Sequence, residues 1–227
     1  MREQSTSDGT LSIDDFYIAA KALCERWKSA NSTLSNWTWI PCKRIPIGVS
    51  YNDGYLSLEN VYHLNSRKDL ASSHQELFKA EQPEDSATVV QFPSCVIHEY
   101  DFHIAYSFSY RTPVLYFHGR QSDGQPLDLG DIQKDLPEYS LKLLRESKWT
   151  FITLEDHPFL HRPWYMLHPC GTSEWMRLLL SGVQQENPCA VNYLVSWLSV
   201  VGQAVGLRIP ASLTTSCFID CSSSSIA

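Results

Sequence analysis

Hydrophobic and polar positions alternate along the middle of the chain in a pattern typical of a long β-strand. Across residues 96–110 the even positions are mostly apolar or aromatic, whereas odd positions carry polar groups such as Glu99 and His103. A period of two over this length predicts a strand with one buried face and one solvated face. Residues 114–119 predict a second strand, and residues 122–124 (Ser-Asp-Gly) predict the turn that closes it.

Two earlier segments also predict strands. A short one covers Trp37 to Ile40 and stops at Pro41, and a longer one covers residues 55–64, after the turn signal Asn-Asp-Gly at 52–54. Consecutive strands separated by polar turns predict an antiparallel meander and not alternating βαβ units.

A helical period marks four further segments. They cover residues 14–27, 128–136, 173–180 and 191–205. Helices together with an antiparallel meander predict an α+β fold in a single domain at 11–210. We expect a flexible tail at 1–10, a polar surface loop at 65–88, and a flexible serine-rich tail at 211–227.

Composition narrows the class of protein. With 227 residues, 43% hydrophobic and 19% charged, the chain is expected to be globular. A net charge of −7 argues against nucleic acid as a partner. The first ten residues are polar and contain no signal peptide, and polar residues interrupt the most apolar stretch, 191–207. We therefore expect a cytoplasmic protein without stable membrane insertion.

The seven cysteines are far apart, contain no CxxC pair, and are expected to stay reduced. Cys170 differs because it follows a proline-rich segment and precedes a predicted helix. The free amides and positive partial charge of a helix N-terminus favour a thiolate. His168 would strengthen this effect if its ring were charged and close. The alternative is that Cys170 is an inert, buried core residue.

Two other kinds of site are compatible with the same region. His157, His161, His168 and Cys170 are residue types that bind zinc, but their spacing matches no familiar finger. Cys170 with a histidine and an acid would make a cysteine protease, although no local protease signature is present. The chain also lacks the GxxxxGK[ST] and GxGxxG motifs. We predict neither a metal nor a cofactor.

Five segments, in order along the chain, resemble one family. Residues 106–117, 122–127, 155–158, 167–170 and 192–202 are similar to the autophagy-related protein 10 family, the E2-like conjugating enzymes of autophagy. The element at 168–170 (His-Pro-Cys) is shared with the lipid-conjugating relative, autophagy-related protein 3. The segment 192–202, and the lack of a long acidic insert, favour the former.

The resemblance implies an E2-like core and a two-step activity. An E1-like enzyme loads a ubiquitin-like modifier, autophagy-related protein 12, onto the E2 cysteine as a thioester. The modifier then passes to a lysine of an acceptor, autophagy-related protein 5. By motif the thioester cysteine is Cys170, and His168 and Pro169 match flanking positions that shape the loop. Asp156 and Tyr165 are nearby in sequence and are candidates for removing a proton from the lysine.

The resemblance also shows one departure and leaves two rival functions open. Ubiquitin E2 enzymes place an asparagine after His-Pro, where this chain has Cys170, so another group must stabilise the oxyanion. A lipid-conjugating enzyme would need membrane contact, and no strongly basic amphipathic helix is apparent. A non-catalytic module would recruit a partner by strand addition to residues 96–110, leaving Cys170 inert.

Overall fold

The structure is a computed structural model that describes residues 8–30, 35–42, 53–65, 96–146, 151–181 and 190–213. Six strands form one antiparallel sheet in this part of the chain. They are β1 (Thr38–Pro41), β2 (Gly54–Asn65), β3 (Val96–Ser107), β4 (Thr112–Gln121), β5 (Ile152–Asp156) and β6 (Pro163–Leu167). The helices are α1 (Ile13–Ala30), α2 (Leu129–Asp135), α3 (Glu138–Glu146), α4 (Thr172–Ser181) and α5 (Ala190–Ala204).

The strand order is β1-β2-β3-β4-β6-β5, and every neighbouring pair is antiparallel. The first four strands form a meander in chain order, with β2 bulged between Leu58 and Val61. The hairpin β5–β6 joins the sheet by pairing β6 with β4, which leaves β5 at the edge. The predicted α+β fold with an antiparallel meander is confirmed.

One face of the sheet and the helices α1 and α5 enclose the core. In α1 the buried residues recur every three or four positions, as in an amphipathic helix (Phe16, Ala19, Ala20, Leu23 and Trp27). From α5, Trp197 and Leu198 are almost fully buried. Each large side chain removed from water contributes roughly 1.5–3 kcal/mol, so this layer is the main stabilising feature.

The opposite face of the sheet is less solvated than the alternating pattern predicts. His103, predicted to be solvated, is only 3% exposed. The chain between β5 and β6 returns over this face, where Nε2 of His157 lies 3.0 Å from Nδ1 of His103. Trp164 of β6 stacks on the same imidazole with the ring centres 4.1 Å apart. Tyr55 packs against the same imidazole at 4.6 Å. The prediction was wrong at His103 because a distant loop covers it.

The predicted tails partly contact the fold. Tyr193 of α5 donates a hydrogen bond from its hydroxyl to the carbonyl of Gly9 at 2.7 Å, and Leu11 N–H donates to the carbonyl of Arg111 at 2.8 Å. At the other end Leu213 is buried. Residues 1–7 and 214–227 lie outside the described residues, as does the predicted loop at 65–88 except for Asn65, the last residue of β2.

Residues 8–11, which we call the N-terminal strap, lie against the start of α4. A Cβ atom placed on Gly9 would come within 1.9 Å of the carbonyl oxygen of Ser173, and Gly9 has φ of +77°. Only glycine fits both the space and the backbone angle.

Among the helices of the described residues, none combines the length and the apolar composition that a membrane-spanning segment needs.

Candidate active site

Cys170 lies in the short connection between β6 and α4, and its side chain is exposed to solvent. The other cysteines that the structure describes, Cys24 and Cys42, are both partly buried. Burial raises the pKa of the Cys24 thiol, which suppresses the thiolate there. Of these three thiols, Cys170 is therefore the one that an incoming protein can reach most directly.

His168 fixes the shape of this connection. Its backbone N–H donates to the carbonyl of Phe151 at 2.8 Å, and its ring Nδ1 accepts from the backbone N–H of Cys170 at 3.2 Å. The ring of Tyr110 meets the imidazole edge-on at 5.7 Å. Because an accepting ring nitrogen carries no proton, this geometry needs an uncharged His168. The structure therefore offers no charged imidazole to favour the Cys170 thiolate, and the side chain orders the loop.

Pro169 and Gly171 connect the loop to the helix. The carbonyl of Pro169 accepts from Thr172 N–H at 3.0 Å, and the carbonyl of Gly171 accepts from Trp175 N–H at 3.2 Å. Gly171 has φ of +79°, which glycine adopts without cost. Cys170 thus precedes the first turn of α4, as predicted, at the end of the helix where the partial charge is positive.

A half-open cavity of about 160 Å³ lies beside Cys170, and we call it the Cys170 cavity. Its wall includes Cys170 and His168 from the loop, Leu115 from β4, and Val200 and Ala204 from α5. None of the residues in the wall is an aspartate, glutamate, lysine or arginine. The thiol therefore sits at the rim of a small, mostly apolar space.

The candidates for a zinc site are not brought together. His157 follows the last residue of β5, whereas Cys170 follows the other end of the hairpin, where Ile152 pairs with Leu167. The length of β5 separates these ends by about 13 Å. Among the residues that the structure describes, no group of three or more His, Cys, Asp or Glu is placed to hold a metal.

His157 has a structural role instead. Its Nδ1 accepts hydrogen bonds from the backbone N–H groups of Phe159 and Leu160, both at 3.2 Å. The proton of the neutral ring therefore lies on Nε2, which is 3.0 Å from Nδ1 of His103. Burial, reinforced by nearby Arg162, lowers the pKa of His157 to about 4. Burial, reinforced by His157, lowers the pKa of His103 to about 3.

Neither proposed proton acceptor is well placed. Asp156 pairs with Pro163, at the end of the hairpin away from Cys170. The ring of Tyr165 stacks on Phe117 at 5.8 Å, and burial raises the pKa of its hydroxyl, so the phenol stays protonated. The structure gives no support to either residue as a base.

The sequence did not reveal the contribution of α5 to this region. Its pattern predicts a buried core helix, yet Val200 is 44% exposed and borders the Cys170 cavity together with Val201 and Ala204. No local motif marks these three residues. Their position depends on how α5 crosses the end of the sheet.

Comparison with known proteins adds a family to this geometry. Residues 15–212 match the family model described as autophagocytosis associated protein, active-site domain. The ubiquitin-like-conjugating enzyme ATG10 of Arabidopsis thaliana is 44% identical over 220 residues, covering 92% of this chain and 97% of that protein. The enzyme of the same name from Homo sapiens is 36% identical over 218 residues, covering 88% and 93%.

Two further similarities are weaker. Autophagy-related protein 3 of Candida glabrata is 32% identical over 106 residues, which is 45% of this chain and 32% of that protein. A solved structure, the crystal structure of the autophagic E2 Atg10, has 16% sequence identity and a TM-score of 0.45, covering 88% of this chain and 99% of that one.

Proposed function

Since this chain belongs to the autophagocytosis-associated protein family, among its ubiquitin-like-conjugating ATG10 enzymes, we propose that Cys170 is the nucleophile that carries the modifier as a thioester. Family membership makes the chain an E2-like transferase of autophagy, which acts with an E1 and a ubiquitin-like modifier. Family membership also argues against strand addition as the whole function, because a non-catalytic binding module would not transfer a modifier.

The observation that carries the proposal is that Cys170 is exposed to solvent in a loop that hydrogen bonds hold in place. A thioester nucleophile must meet a protein-sized donor and then a protein-sized acceptor, so it has to be accessible. Cys170 is exposed, and the hydrogen bond to His168 holds its backbone in place. Holding the loop reduces the ordering that the reaction would otherwise require.

In the first step the Cys170 thiolate attacks the carbonyl carbon of the E1-bound thioester. A new C–S bond forms, the old C–S bond breaks, and the E1 cysteine leaves as a thiolate. The reactant and the product are both thioesters, so the step needs no metal and no cofactor. The positive end of α4 stabilises the Cys170 thiolate, both when it attacks in this step and when it leaves in the reverse step.

In the second step a neutral amine attacks the same carbonyl, and Cys170 leaves as a thiolate while the nitrogen loses a proton to solvent. The large rate advantage of this step comes from positioning, since well-oriented groups gain effective molarity equivalent to roughly 7–11 kcal/mol. We propose that the modifier is autophagy-related protein 12 and that the amine is a lysine of autophagy-related protein 5. The near full-length similarity to ATG10 enzymes supports this choice over lipid transfer.

The test is a loading assay with E1-like enzyme, ATP and autophagy-related protein 12. Wild-type chain is expected to give a slower band on a gel that thiol reductant removes, because a thioester is cleaved by thiols. Cys170→Ser is expected to give a band that resists reductant, because an oxyester is not cleaved. Adding autophagy-related protein 5 should consume the thioester, whereas vesicles containing phosphatidylethanolamine should not.

Cys42→Ser is the matched control, because Cys42 is partly buried and lies before β2, away from the β6–α4 loop. It is expected to load as the wild type does. A reductant-labile band formed by Cys170→Ala would show that another thiol carries the modifier and would end the proposal. Consumption of the thioester by vesicles alone would instead assign lipid transfer.

A further inference from the structure

We propose that the Cys170 cavity binds the side chain of the residue that precedes the C-terminal glycine of the modifier, and that it selects a bulky apolar side chain. This inference rests on the proposed function, because it presumes a modifier whose terminal glycine reacts at Cys170. It adds a specificity site formed by β4, α5 and the segment from the end of β6 to the start of α4.

The reach of the modifier's tail places one side chain at the cavity. When the terminal carbonyl is bonded to the sulfur of Cys170, the terminal glycine contributes no side chain. Consecutive Cα atoms lie about 3.8 Å apart, so the first side chain of the tail begins one residue from the sulfur. Cys170 forms part of the cavity wall, and this distance brings that side chain to the opening.

The size of the cavity fits one side chain. Its volume is about 160 Å³. An apolar protein cavity of roughly 150 Å³ holds a benzene molecule, so this space accommodates one aromatic or branched aliphatic group. A small residue such as alanine would leave most of it unfilled, and two large residues would not fit.

The chemistry of the wall gives the selectivity. Leu115 and Trp197 are almost fully buried and form fixed apolar surface, and Val200 on the rim is 44% exposed. The wall contains no aspartate, glutamate, lysine or arginine, and Nδ1 of its histidine, His168, already accepts from Cys170 N–H. Burying an unpaired charge is costly, whereas burying an apolar group is favourable, so the cavity discriminates against a charged residue.

The experiment uses synthetic dipeptide thioesters in place of E1 and modifier. Acetyl-Phe-Gly, acetyl-Ala-Gly and acetyl-Glu-Gly are each prepared as the thioester of mercaptoethanesulfonate and mixed with the full chain. The Cys170 thiolate attacks the glycyl carbonyl and mercaptoethanesulfonate leaves as a thiolate, so the reaction is balanced. Mass spectrometry follows the acylated protein, and Cys170→Ala corrects for reaction at other cysteines.

The wild type is expected to react with the Phe-Gly thioester about tenfold faster than with the Ala-Gly thioester, since partial burial of a phenyl group supplies that factor. Glu-Gly is expected to be no faster than Ala-Gly. Ala204→Phe fills the cavity and should bring the Phe-to-Ala ratio close to one. Val200→Asp places a carboxylate at the rim and should lower the ratio at least threefold.

Ile18→Asp is the matched control, because Ile18 is also a half-exposed apolar residue on a helix but does not border the cavity. Its ratio is expected to equal that of the wild type. Should Ala204→Phe fail to fold, Val200→Asp decides, because Val200 is 44% exposed at the rim and the fold accommodates a polar group there.

Equal rates for the Phe-Gly and Ala-Gly thioesters, or a ratio unchanged by the variants, would overturn the cavity proposal while leaving the loading activity intact. The same holds if neither peptide reacts although autophagy-related protein 12 still loads. If neither the peptides nor the modifier reach Cys170, the failure belongs to the proposed function. The two ideas are therefore separable by one set of measurements.

Discussion

His103 and His157 form a direct hydrogen bond, with Nε2 of His157 donating to Nδ1 of His103 across 3.0 Å. The direction follows from the two backbone N–H groups that occupy Nδ1 of His157. Both rings must be neutral for this arrangement. A proton on Nδ1 of His103 would remove the acceptor of this bond, and a proton on Nδ1 of His157 would displace the two backbone N–H donors. The pair joins β3 to the loop that covers the outer face of the sheet.

This pair is expected to make the fold sensitive to mild acid. The pKa of His103 is about 3 and that of His157 about 4, mainly through burial, whereas an unfolded histidine titrates near 6.5. Below pH 6.5 the unfolded chain therefore binds more protons than the native one, and stability falls as the pH drops. Between pH 6.5 and 5 we expect a loss of about 1–2 kcal/mol for each histidine.

Urea unfolding at pH 7.5, 6 and 5 measures this loss. His103→Gln removes one titrating group, so its free energy of unfolding should decline less steeply with falling pH than that of the wild type. His161→Gln is the control, because His161 is exposed in the same loop. Parallel pH curves for wild type and His103→Gln would contradict the prediction.

Asp135 is expected to be a major stabilising residue at the junction of sheet and α2. Its Oδ2 accepts from the hydroxyl of Tyr100 at 2.6 Å and lies 2.6 Å from Nδ1 of His98. Asp135→Ala leaves both buried groups without this partner and should cost about 3–5 kcal/mol of unfolding free energy. Tyr100→Phe removes one donor and should cost about 1 kcal/mol.

Asp131→Ala provides the comparison within the same helix, since Asp131 pairs with Lys134 on the surface. Exposed pairs contribute less than about 1 kcal/mol, so this variant should remain close to the wild type in urea unfolding. Similar losses for the Asp131 and Asp135 variants would show that the buried contacts have little effect.

The N-terminal strap is expected to support the β6–α4 loop that contains Cys170. Gly9→Ala introduces a Cβ atom at 1.9 Å from the carbonyl oxygen of Ser173, so strap and helix must separate. Because α4 begins two residues after Cys170, we expect thioester loading to slow by about threefold to tenfold, alongside a stability loss of about 2–3 kcal/mol.

Gly124→Ala is a control with matched backbone geometry. Its φ is +88° and no atom lies within 4 Å of a Cβ placed there, so it should cost only the conformational penalty of about 1–2 kcal/mol. Its loading rate should equal that of the wild type. Equal loading rates for the two variants would mean that the strap does not influence Cys170.

His168 is expected to act by positioning and not by proton transfer. His168→Phe removes the acceptor for Cys170 N–H and should slow loading about fivefold to tenfold, whereas His168→Asn keeps an acceptor and should restore part of the rate. Loading rates measured from pH 6 to 9 should keep the same shape in both variants. A lost limb in the pH profile of His168→Phe would instead assign acid–base chemistry to the imidazole.

The sequence was most informative where local pattern decides structure. The turn after β4 and the proline after α2 placed these elements correctly, because turn chemistry acts over a few residues. Alternation placed the start of β3 correctly but extended it to residue 110, whereas the strand ends at Ser107 and a turn follows. Cys170 was identified by its motif and by the helix that follows, and in the structure Cys170 lies two residues before that helix, α4. Its catalytic role stays a prediction until loading is measured.

Local sequence patterns did not predict the tertiary features of the fold. Alternation tells which side of β3 His103 faces but not that residues 157–162 return to cover it. Likewise the period of α5 predicts burial, while the opening beside Val200 depends on where the helix crosses the sheet. These features arise from contacts between segments far apart in the chain, which a local pattern does not encode.

The N-terminal strap has a consequence for how the protein is made. Gly9 and its hydrogen-bond donor Tyr193 are 184 positions apart. At roughly 5–20 residues per second, Gly9 is synthesised about 10–40 seconds before Tyr193. The strap therefore waits for α5, and the surroundings of Cys170 are completed only after α5 has been synthesised.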